Sequence, residues 1–316
     1  MEVLTSKQED AQASAAQFAS DSKGKASSAD NAAPLTTCES ASVSQDSRAL
    51  KPLDLSELTQ LLSGDSFWQV QTFGCVDSTN RIVKQALAEG IAEGFCATAL
   101  QQKGGYGRQG RVWESPLGGL YTSITLRPQV PLQQLPTLSL VMSVAVRRAL
   151  IQVCSDPLAI KWPNDVLYCG GKIAGISLEV IAGGVCVGIG LNVFPPAQCM
   201  EVSGKYSLSY IREDVVVDSI SADQRLFMAR VLTMLIQEVK LCYQQWGDQG
   251  FASFLDEYRE HMAWLGAHVQ LETIDGSSFA EGEICGVDEE GYLLVRAASG
   301  DIMRAASGEV HVRALS

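Results

Sequence analysis

Apolar residues recur along this chain at two spacings, and the spacing separates predicted helices from predicted strands. A spacing of three and four residues begins at Leu55 and continues through Leu58, Leu61 and Leu62, which predicts a helix. The same spacing predicts a helix of about three turns after Asn80, an apolar helix over 139–154, a long helix over about 222–246 and a shorter one near 250–262.

The segments between these helices are predicted strands, in which apolar residues alternate with others or run continuously. They cover residues 68–73, 95–102, 121–126, 160–162, 172–181 and 185–193. After Gly266 the chain changes to short alternating runs separated by glycine turns, which predicts a small all-β barrel of about fifty residues. We therefore expect a mixed helix-and-strand domain over residues 51–265 and the barrel over residues 266–316.

Residues 1–50 follow neither pattern. They are rich in Ala and Ser and contain few large apolar residues. Such a segment cannot bury enough apolar surface to offset the entropy lost on ordering, so we predict a disordered tail. The three amphipathic elements that a helix-turn-helix DNA-binding domain needs are absent from it, and a regulatory role for the tail stays open.

Composition and charge narrow the classes of function. Apolar residues make up 46% of the chain and charged residues 19%, as is typical of a globular protein. The formal net charge of −12 disfavours sequence-independent nucleic-acid binding, although it allows a local basic pocket. Nine cysteines without CxxC spacing indicate reduced thiols. With no signal peptide and no apolar run long enough for a bilayer, we expect a cytoplasmic protein without a membrane partner.

Residues 104–113, GGYGRQGRVW, combine glycine with arginine. The glycines match the dinucleotide-binding fingerprint, but a strand follows and not the helix that the fingerprint requires. Glycine lets a backbone approach a ligand closely, and Arg108 and Arg111 supply guanidinium groups suited to phosphate. Trp113 offers a flat face for a purine or for loop packing. The segment predicts a phosphate-binding loop, with an ordinary glycine turn as the alternative.

Residues 161–165, KWPND, and Lys172 form a second candidate region. Asn164 and Asp165 follow a proline, which predicts a turn at a strand end, where functional side chains are common. Lys172 opens the next strand, so we expect its ammonium to be partly desolvated. A lysine that merely guards a buried strand against aggregation is equally consistent with this pattern.

The predicted strand over 185–193 has two unequal faces. Its Val, Ile and Leu residues share one face, and Cys186, Gly188, Gly190 and Asn192 share the other. The two glycines allow either a ligand or a packed element to approach the backbone.

Ser78, Thr79 and Asn80 precede the predicted helix after residue 80. Polar residues here usually cap a helix, which is the ordinary expectation. The functional alternative is that the hydroxyls and the helix dipole polarise a carbonyl of a ligand.

Together these four segments resemble the catalytic domain of the biotin–protein ligases. That family shows an STN-type helix start, a GRGRxGRxW-like loop, a KWPND segment followed by a lysine, and a GIGxN strand. This chain has STN, GYGRQGRVW, KWPNDVLYCGGKIAG and GIGLN in that order. The resemblance runs from about residue 70 to the C-terminus. It implies an α+β fold with a mixed, antiparallel sheet like that of class II aminoacyl-tRNA synthetases and biotin–lipoate ligases, plus an SH3-like C-terminal barrel.

The resemblance implies that ATP activates biotin to biotinyl-5′-AMP, and that a lysine of a biotin carboxyl carrier domain then accepts the biotinyl group. The implied biotin-binding residues are Ser78, Thr79, Asn80, Gln102, Gly105, Tyr106, Gly107, Arg108, Lys172, Gly175, Gly188 and Gly190. The implied ATP- or adenylate-binding residues are Arg108, Arg111, Trp113, Lys161, Asn164, Asp165, Lys172 and Asn192. The implied catalytic residues are Lys172, Arg108 and Asp165. Mg²⁺ is expected to accompany ATP, without a dedicated metal site.

One departure from the family pattern is Tyr106, which stands where an arginine is common. With one positive charge fewer in the loop, we expect looser retention of the adenylate. A lipoate or octanoate attachment enzyme and a biotin-sensing repressor remain as alternative functions. The oligomeric state is open, with a homodimer among the expectations, and residues 196–220 are a candidate cover for the adenylate.

Overall fold

The computed structural model describes residues 50–54, 58, 60, 62, 65–197, 207–273, 277–306 and 310–314. The predicted tail therefore lies outside the described residues, apart from Leu50. In the first predicted helix Leu58 and Gln60 are helical, and the Leu62 amide donates to the Leu58 carbonyl at 2.9 Å. Within the described ranges, no helix has the length and apolar character needed to cross a membrane.

Seven strands form the larger sheet. They are β1 (Gln69–Val76), β2 (Phe95–Gln102), β3 (Gly119–Leu126), β4 (Leu158–Lys161), β5 (Asp165–Tyr168), β6 (Gly171–Ile181) and β7 (Gly184–Asn192). Their order across the sheet is β1-β2-β3-β7-β6-β5-β4. Only the β1–β2 pair is parallel among these neighbours. The predicted mixed, largely antiparallel sheet is confirmed.

Helices cover both faces of this sheet. They are α1 (Thr79–Ala88), α2 (Leu138–Leu150), α3 (Ala222–Gln249) and α4 (Leu255–Glu260). On one face Val83, Ala86 and Leu87 of α1 pack in a cluster with Ala97 and Cys186. On the other face, residues of α2 and α3 form the main core. The apolar residues of β7 belong to the same core: Val185, Val187, Ile189 and Leu191. The two predicted faces of the 185–193 segment are confirmed, and the glycines lie on the α1 side.

The long helix α3 has clear start and stop signals. Ser221 accepts from the Gln224 amide, and the Gln224 side chain accepts from the Ser221 amide, so two otherwise unpaired donors of the first turn are satisfied. Gly250 ends the helix with a φ of 68°, a conformation that glycine adopts without strain.

The C-terminal strands form a separate sheet. They are β8 (His268–Thr273), β9 (Ser278–Val287), β10 (Leu293–Arg296), β11 (Ile302–Ala305) and β12 (Val310–Ala314), in the order β11-β10-β9-β8-β12. All neighbours are antiparallel, and the predicted small SH3-like barrel is confirmed. Arg259 of α4 donates to the Val287 carbonyl at 3.0 and 2.7 Å, and the Trp162 indole donates to the Gly291 carbonyl at 3.1 Å. These bonds join the barrel to the larger sheet beside the KWPND segment.

The sequence pattern missed one strand and misplaced one turn and two helices. The strand β5 was not predicted, because four residues are too few to show a period. The turn occupies residues 162–164, so Asp165 opens β5 instead of lying in the turn. The helix α2 stops at Leu150, and the helix near 250–262 is a 3₁₀ turn over Phe251–Phe254 followed by α4. The domain boundary at residue 265 stays a prediction.

Candidate active site

A cavity of about 520 Å³ opens on the α1 side of the larger sheet, a size suited to a small ligand. Its walls come from the start of α1, the centres of β3, β6 and β7, the glycine–arginine loop and the KWPND turn. The barrel contributes Glu272 and Val312. Nearly all the residues named from the sequence line this cavity, and the exception, Gly105, lines an adjoining recess.

One end of the cavity carries a buried network of uncharged polar groups. The Ser123 hydroxyl lies 2.7 Å from both the Thr79 hydroxyl and the Asn80 side-chain oxygen. The Asn80 amide donates to the Ser177 hydroxyl at 3.3 Å. Each of these groups is shielded from water and paired within the network, so the network fixes where donors and acceptors face a ligand.

Helix capping does not explain the Ser78–Asn80 segment. Ser78 occupies the N-cap position of α1, but its side chain makes no capping hydrogen bond. The Thr79 amide and hydroxyl instead donate to the Gln102 side-chain oxygen at 2.8 and 3.1 Å. The ordinary capping expectation is therefore wrong for this segment, whose polar atoms face the cavity and β2.

Ser123 and Ser177 were missed from the sequence. They lie at the centres of β3 and β6, directly across from Gly188 of β7. A serine within a continuous apolar strand is a weak signal by itself. Only the strand register places these two hydroxyls beside Asn80, which is 97 residues from Ser177.

The other end of the cavity is cationic. Lys172 pairs with Asp165 at 2.7 Å, with 23% and 15% of the two side chains exposed, and the Lys172 ammonium lies 4.8 Å from the centre of a Trp113 ring. Lys172 is thus held in place by a carboxylate and an aromatic face, as the functional interpretation of this lysine requires. The gatekeeper alternative predicts a solvated side chain and is not supported.

Two further cations, Lys161 and Arg108, face the same carboxylate. Burial lowers the pKa of Lys161 to about 8, with Asp165 acting to raise it and Lys172 to lower it. Burial also lowers the pKa of Arg108, again opposed by Asp165. Desolvated positive charge gathered around one carboxylate attracts a ligand that brings further negative charge.

The KWPND turn fixes the cationic end relative to the loop. The Arg108 guanidinium donates to the Asn164 side-chain oxygen at 3.0 Å, and the Asn164 amide donates to the Ile176 carbonyl at 2.7 Å. Asn192 similarly donates to the Lys172 carbonyl at 3.1 Å. Asn164 and Asn192 are thus bound to the backbone of β6 and orient the groups around them.

The glycines on the cavity face make room for Trp113 and Asn80. Gly175 and Gly190 are cross-strand partners, and an added Cβ would lie 2.8 and 2.5 Å from the Trp113 indole. A Cβ on Gly188 would lie 2.2 Å from the Asn80 side-chain oxygen. The close approach inferred for these glycines is therefore made by side chains of the protein, and their contact with biotin stays a prediction.

The glycine–arginine loop is a short hairpin over the cavity. Tyr106 and Val112 form a bridge, the Gly107 amide donates to the Arg111 carbonyl at 2.8 Å, and the Trp113 amide donates to the Gly105 carbonyl at 3.0 Å. The tip, Arg108–Gly110, is a 3₁₀ turn in which Gln109 has a φ of 59°. Strand β3 follows, so the loop lacks the helix of a dinucleotide fingerprint, as predicted.

The candidate cover over 196–220 lies partly outside the described residues. Of its described part, Leu208 lines the cavity, and the Lys172 amide donates to the Ser207 carbonyl at 2.8 Å.

Comparison with known proteins agrees with this geometry. Residues 72–193 match the model of the Biotin/lipoate A/B protein ligase family, and residues 265–313 match the biotin protein ligase C-terminal domain. A biotin–[acetyl-CoA-carboxylase] ligase of Paracoccus denitrificans is 34% identical over 71% of this chain and 92% of its own length. A bifunctional ligase/repressor of Bacillus subtilis is 30% identical over 71% of this chain and 68% of its own length.

Solved structures include a similar fold. The biotin protein ligase from Aquifex aeolicus, in complex with biotin and ATP, is 27% identical with a TM-score of 0.66 and covers 79% of this chain and 100% of that chain. Both family models match in order along this chain, and a third of the aligned residues are identical to those of a ligase over nearly the whole length of that ligase. This chain therefore belongs to the biotin/lipoate A/B protein ligase family and, within it, to the biotin–protein ligases.

Proposed function

We propose that this chain activates biotin with ATP and transfers the biotinyl group to a lysine of a biotin carboxyl carrier protein. The observation that carries the proposal is the division of one cavity into an uncharged polar end and a cationic end. Biotin has a neutral ureido group at one end and a carboxylate at the other. The polar network suits the first, and the cations suit the carboxylate together with the phosphates of ATP.

In the proposed first step a biotin carboxylate oxygen attacks the α-phosphorus of ATP. A new P–O bond forms, the bond to the β-phosphate breaks, and pyrophosphate leaves. The phosphoryl oxygens gain charge in the transition state, so fixed cations lower the barrier. Lys172 is the proposed bridge between carboxylate and α-phosphate, and Arg108 is proposed to enclose the phosphate from the loop.

In the proposed second step the acceptor amine attacks the acyl carbon of the mixed anhydride. The new amide bond displaces AMP, and the amine gives up a proton. The protein supplies no nucleophile, so its contribution is alignment of the two reactants. Asp165, already bound to Lys172, is the proposed carboxylate that orients the incoming amine.

Mg²⁺ is proposed to enter with ATP. This ion prefers oxygen ligands and is usually held by phosphates with one or two carboxylates. The carboxylates among the lining residues are Glu114, Asp165 and Glu272. Of these, Asp165 lies at the cationic end proposed for the phosphates, so it would be the carboxylate that could help to hold the ion there.

The test is ATP–pyrophosphate exchange by the purified protein, with biotin, lipoate or octanoate supplied separately. We expect exchange with biotin alone, followed by labelling of one lysine when a carrier domain is added. Exchange with lipoate or octanoate would instead indicate a lipoate or octanoate attachment enzyme of the same family. If folded protein shows no exchange with any of the three acids, the proposed function is refuted.

Three narrower expectations belong to the same proposal. The seven cysteines in the described part of the chain are free thiols, which supports a reducing, cytoplasmic location. The net charge of −12 supports a protein without a nucleic-acid partner, and a gel-shift assay with operator-like DNA tests the repressor alternative. Light scattering with and without biotin tests the expected homodimer.

A further inference from the structure

Tyr106 is fixed by two groups outside the cavity. Its hydroxyl donates to one carboxylate oxygen of Glu179 at 2.9 Å, and Lys84 donates to the other oxygen at 2.8 Å. The Lys84 ammonium also lies 5.3 Å from the centre of the Tyr106 ring. Tyr106 belongs to the loop, Lys84 to α1 and Glu179 to β6, so these three residues, the loop clamp, join three separate segments.

The clamp lies at the base of a loop whose tip is exposed to solvent. Gln109, Gly110 and Arg111 are exposed, and Val112 is 70% exposed, so these residues lie outside the core. Over the cavity, Arg108 is bound to Asn164. The clamp provides the attachment on the opposite side of the hairpin, towards α1.

The clamp acts from outside the reaction space. Tyr106 lines the cavity, whereas Lys84 and Glu179 do not, and Lys84 lines the adjoining recess. The Tyr106 hydroxyl is committed to Glu179, so its geometry suits holding the loop and not contact with the reacting atoms.

Two members of the clamp, Lys84 and Tyr106, each keep one ionic state near neutral pH. The hydrogen bond to Glu179 raises the pKa of Lys84 above its usual range, and burial raises the pKa of Tyr106. Lys84 stays an ammonium and Tyr106 stays a phenol, so the hydroxyl can donate to a carboxylate that Lys84 orients. A hydrogen bond to a charged group is stronger than one between neutral groups.

We propose that Tyr106 is a positioning residue that, through Glu179 and Lys84, holds the glycine–arginine loop closed over the adenylate and slows its escape. This inference rests on the proposed function. It reverses the expectation drawn from the sequence, where the replacement of an arginine by Tyr106 suggested looser retention. Compared with an arginine at this position, Tyr106 lacks a positive charge that could face the phosphate, but its hydroxyl is bonded to Glu179 of β6.

The test compares Tyr106→Phe and Glu179→Gln, singly and together, with the unchanged protein. Each sample forms biotinyl-AMP, and the release of the labelled adenylate is followed without acceptor. We expect Tyr106→Phe to release it about 10- to 150-fold faster, the range for losing one hydrogen bond to a charged group. Glu179→Gln should also release it faster than the unchanged protein, but by a smaller factor, because glutamine keeps an acceptor oxygen without the charge. The double variant should release it no faster than Tyr106→Phe alone, because the bond that Glu179→Gln weakens is already absent there. In Glu179→Gln, whose residue does not line the cavity, the rate of adenylate formation at saturating biotin and ATP should stay within about threefold of the unchanged protein.

A matched control is available away from the site. Tyr243 of α3 donates to Glu93 at 2.9 Å, so Tyr243→Phe removes the same kind of bond without touching the loop. Its release rate should equal that of the unchanged protein. Unchanged release in Tyr106→Phe would overturn the inference, as would additive effects in the double variant or, in Glu179→Gln, a fall in adenylate formation equal to the rise in release.

A second measurement does not depend on the reaction. The amides of Gly107 and Trp113 close the hairpin, so their hydrogen exchange in the ligand-free protein reports on opening of the loop. We expect about 10- to 150-fold faster exchange in Tyr106→Phe than in Tyr243→Phe. If the protein forms no adenylate but these amides respond, the proposed function fails and the clamp stands. If adenylate forms and the amides do not respond, the clamp fails alone.

Discussion

Gly175 and Gly190 leave a slot on the sheet that the Trp113 indole occupies. This slot gives the sharpest prediction, because the distances from an added Cβ at each glycine to the indole are known. In Gly190→Ala the new Cβ would lie 2.5 Å from the indole, while ordinary contacts begin near 3.4 Å. The indole must therefore retreat by about 1 Å. It cannot move along the sheet towards Gly175, where it is already packed as tightly. The ring must move into the cavity.

We expect the indole to shift position before the strands of the sheet do. Its Nε1 is buried without a hydrogen-bond partner among the described residues, so packing and the adjacent Lys172 ammonium hold the ring in the slot. Overpacking of this kind costs about 1–3 kcal/mol, which corresponds to about a 5- to 150-fold change in an equilibrium. Because the displaced ring occupies ligand space, we expect this factor to appear in the biotin dissociation constant and only weakly in stability.

The assay is biotin titration by calorimetry, together with chemical denaturation of the same samples. Gly247→Ala is the matched control: it lies in α3 with no atom within 4 Å of the added Cβ, and it should raise the free energy of unfolding by about 1 kcal/mol without changing biotin affinity. If Gly190→Ala binds biotin normally and instead unfolds at lower denaturant, the strain lies in the sheet and the account of the slot is wrong.

Three further predictions concern charges and the barrel. Burial lowers the pKa of Lys161 to about 8, so its ammonium is present below that pH and lost above it. ATP affinity should therefore weaken by up to about tenfold per pH unit above 8, whereas in Lys161→Arg it should stay constant. Calorimetric titration with ATP from pH 7 to 9.5 tests this difference. Lys172→Met should slow pyrophosphate exchange by about 10²- to 10³-fold at saturating substrates and change biotin affinity little; a collapse of affinity with normal turnover would contradict its role. Arg259→Met should lower the free energy of unfolding by about 1–3 kcal/mol, because the buried Val287 carbonyl loses a donor; an unchanged denaturation midpoint would show that this bond does not hold the barrel.

What the sequence determined by itself was local. Periods of two and of three to four residues gave the bounds of β2 correctly, those of α1 and β6 to within a residue or two, and the division of β7 into an apolar face and a glycine face. The resemblance to the biotin–protein ligases also named residues that line the cavity, among them Lys172, Asp165 and Arg108. These signals are readable because neighbouring residues share one backbone conformation.

The contacts between residues far apart in the sequence, by contrast, are set by the folded chain. The register of β3, β6 and β7 sets Ser123 and Ser177 on either side of Gly188, and it sets Gly175 beside Gly190 to make the slot for Trp113. It also carries Glu179 to Tyr106, which is 73 residues away, so that a residue that looked like a lost charge becomes an attachment point. Register depends on the packing of whole sheets and is not written in any one strand, because a side-chain period of two fits more than one pairing of the same strands.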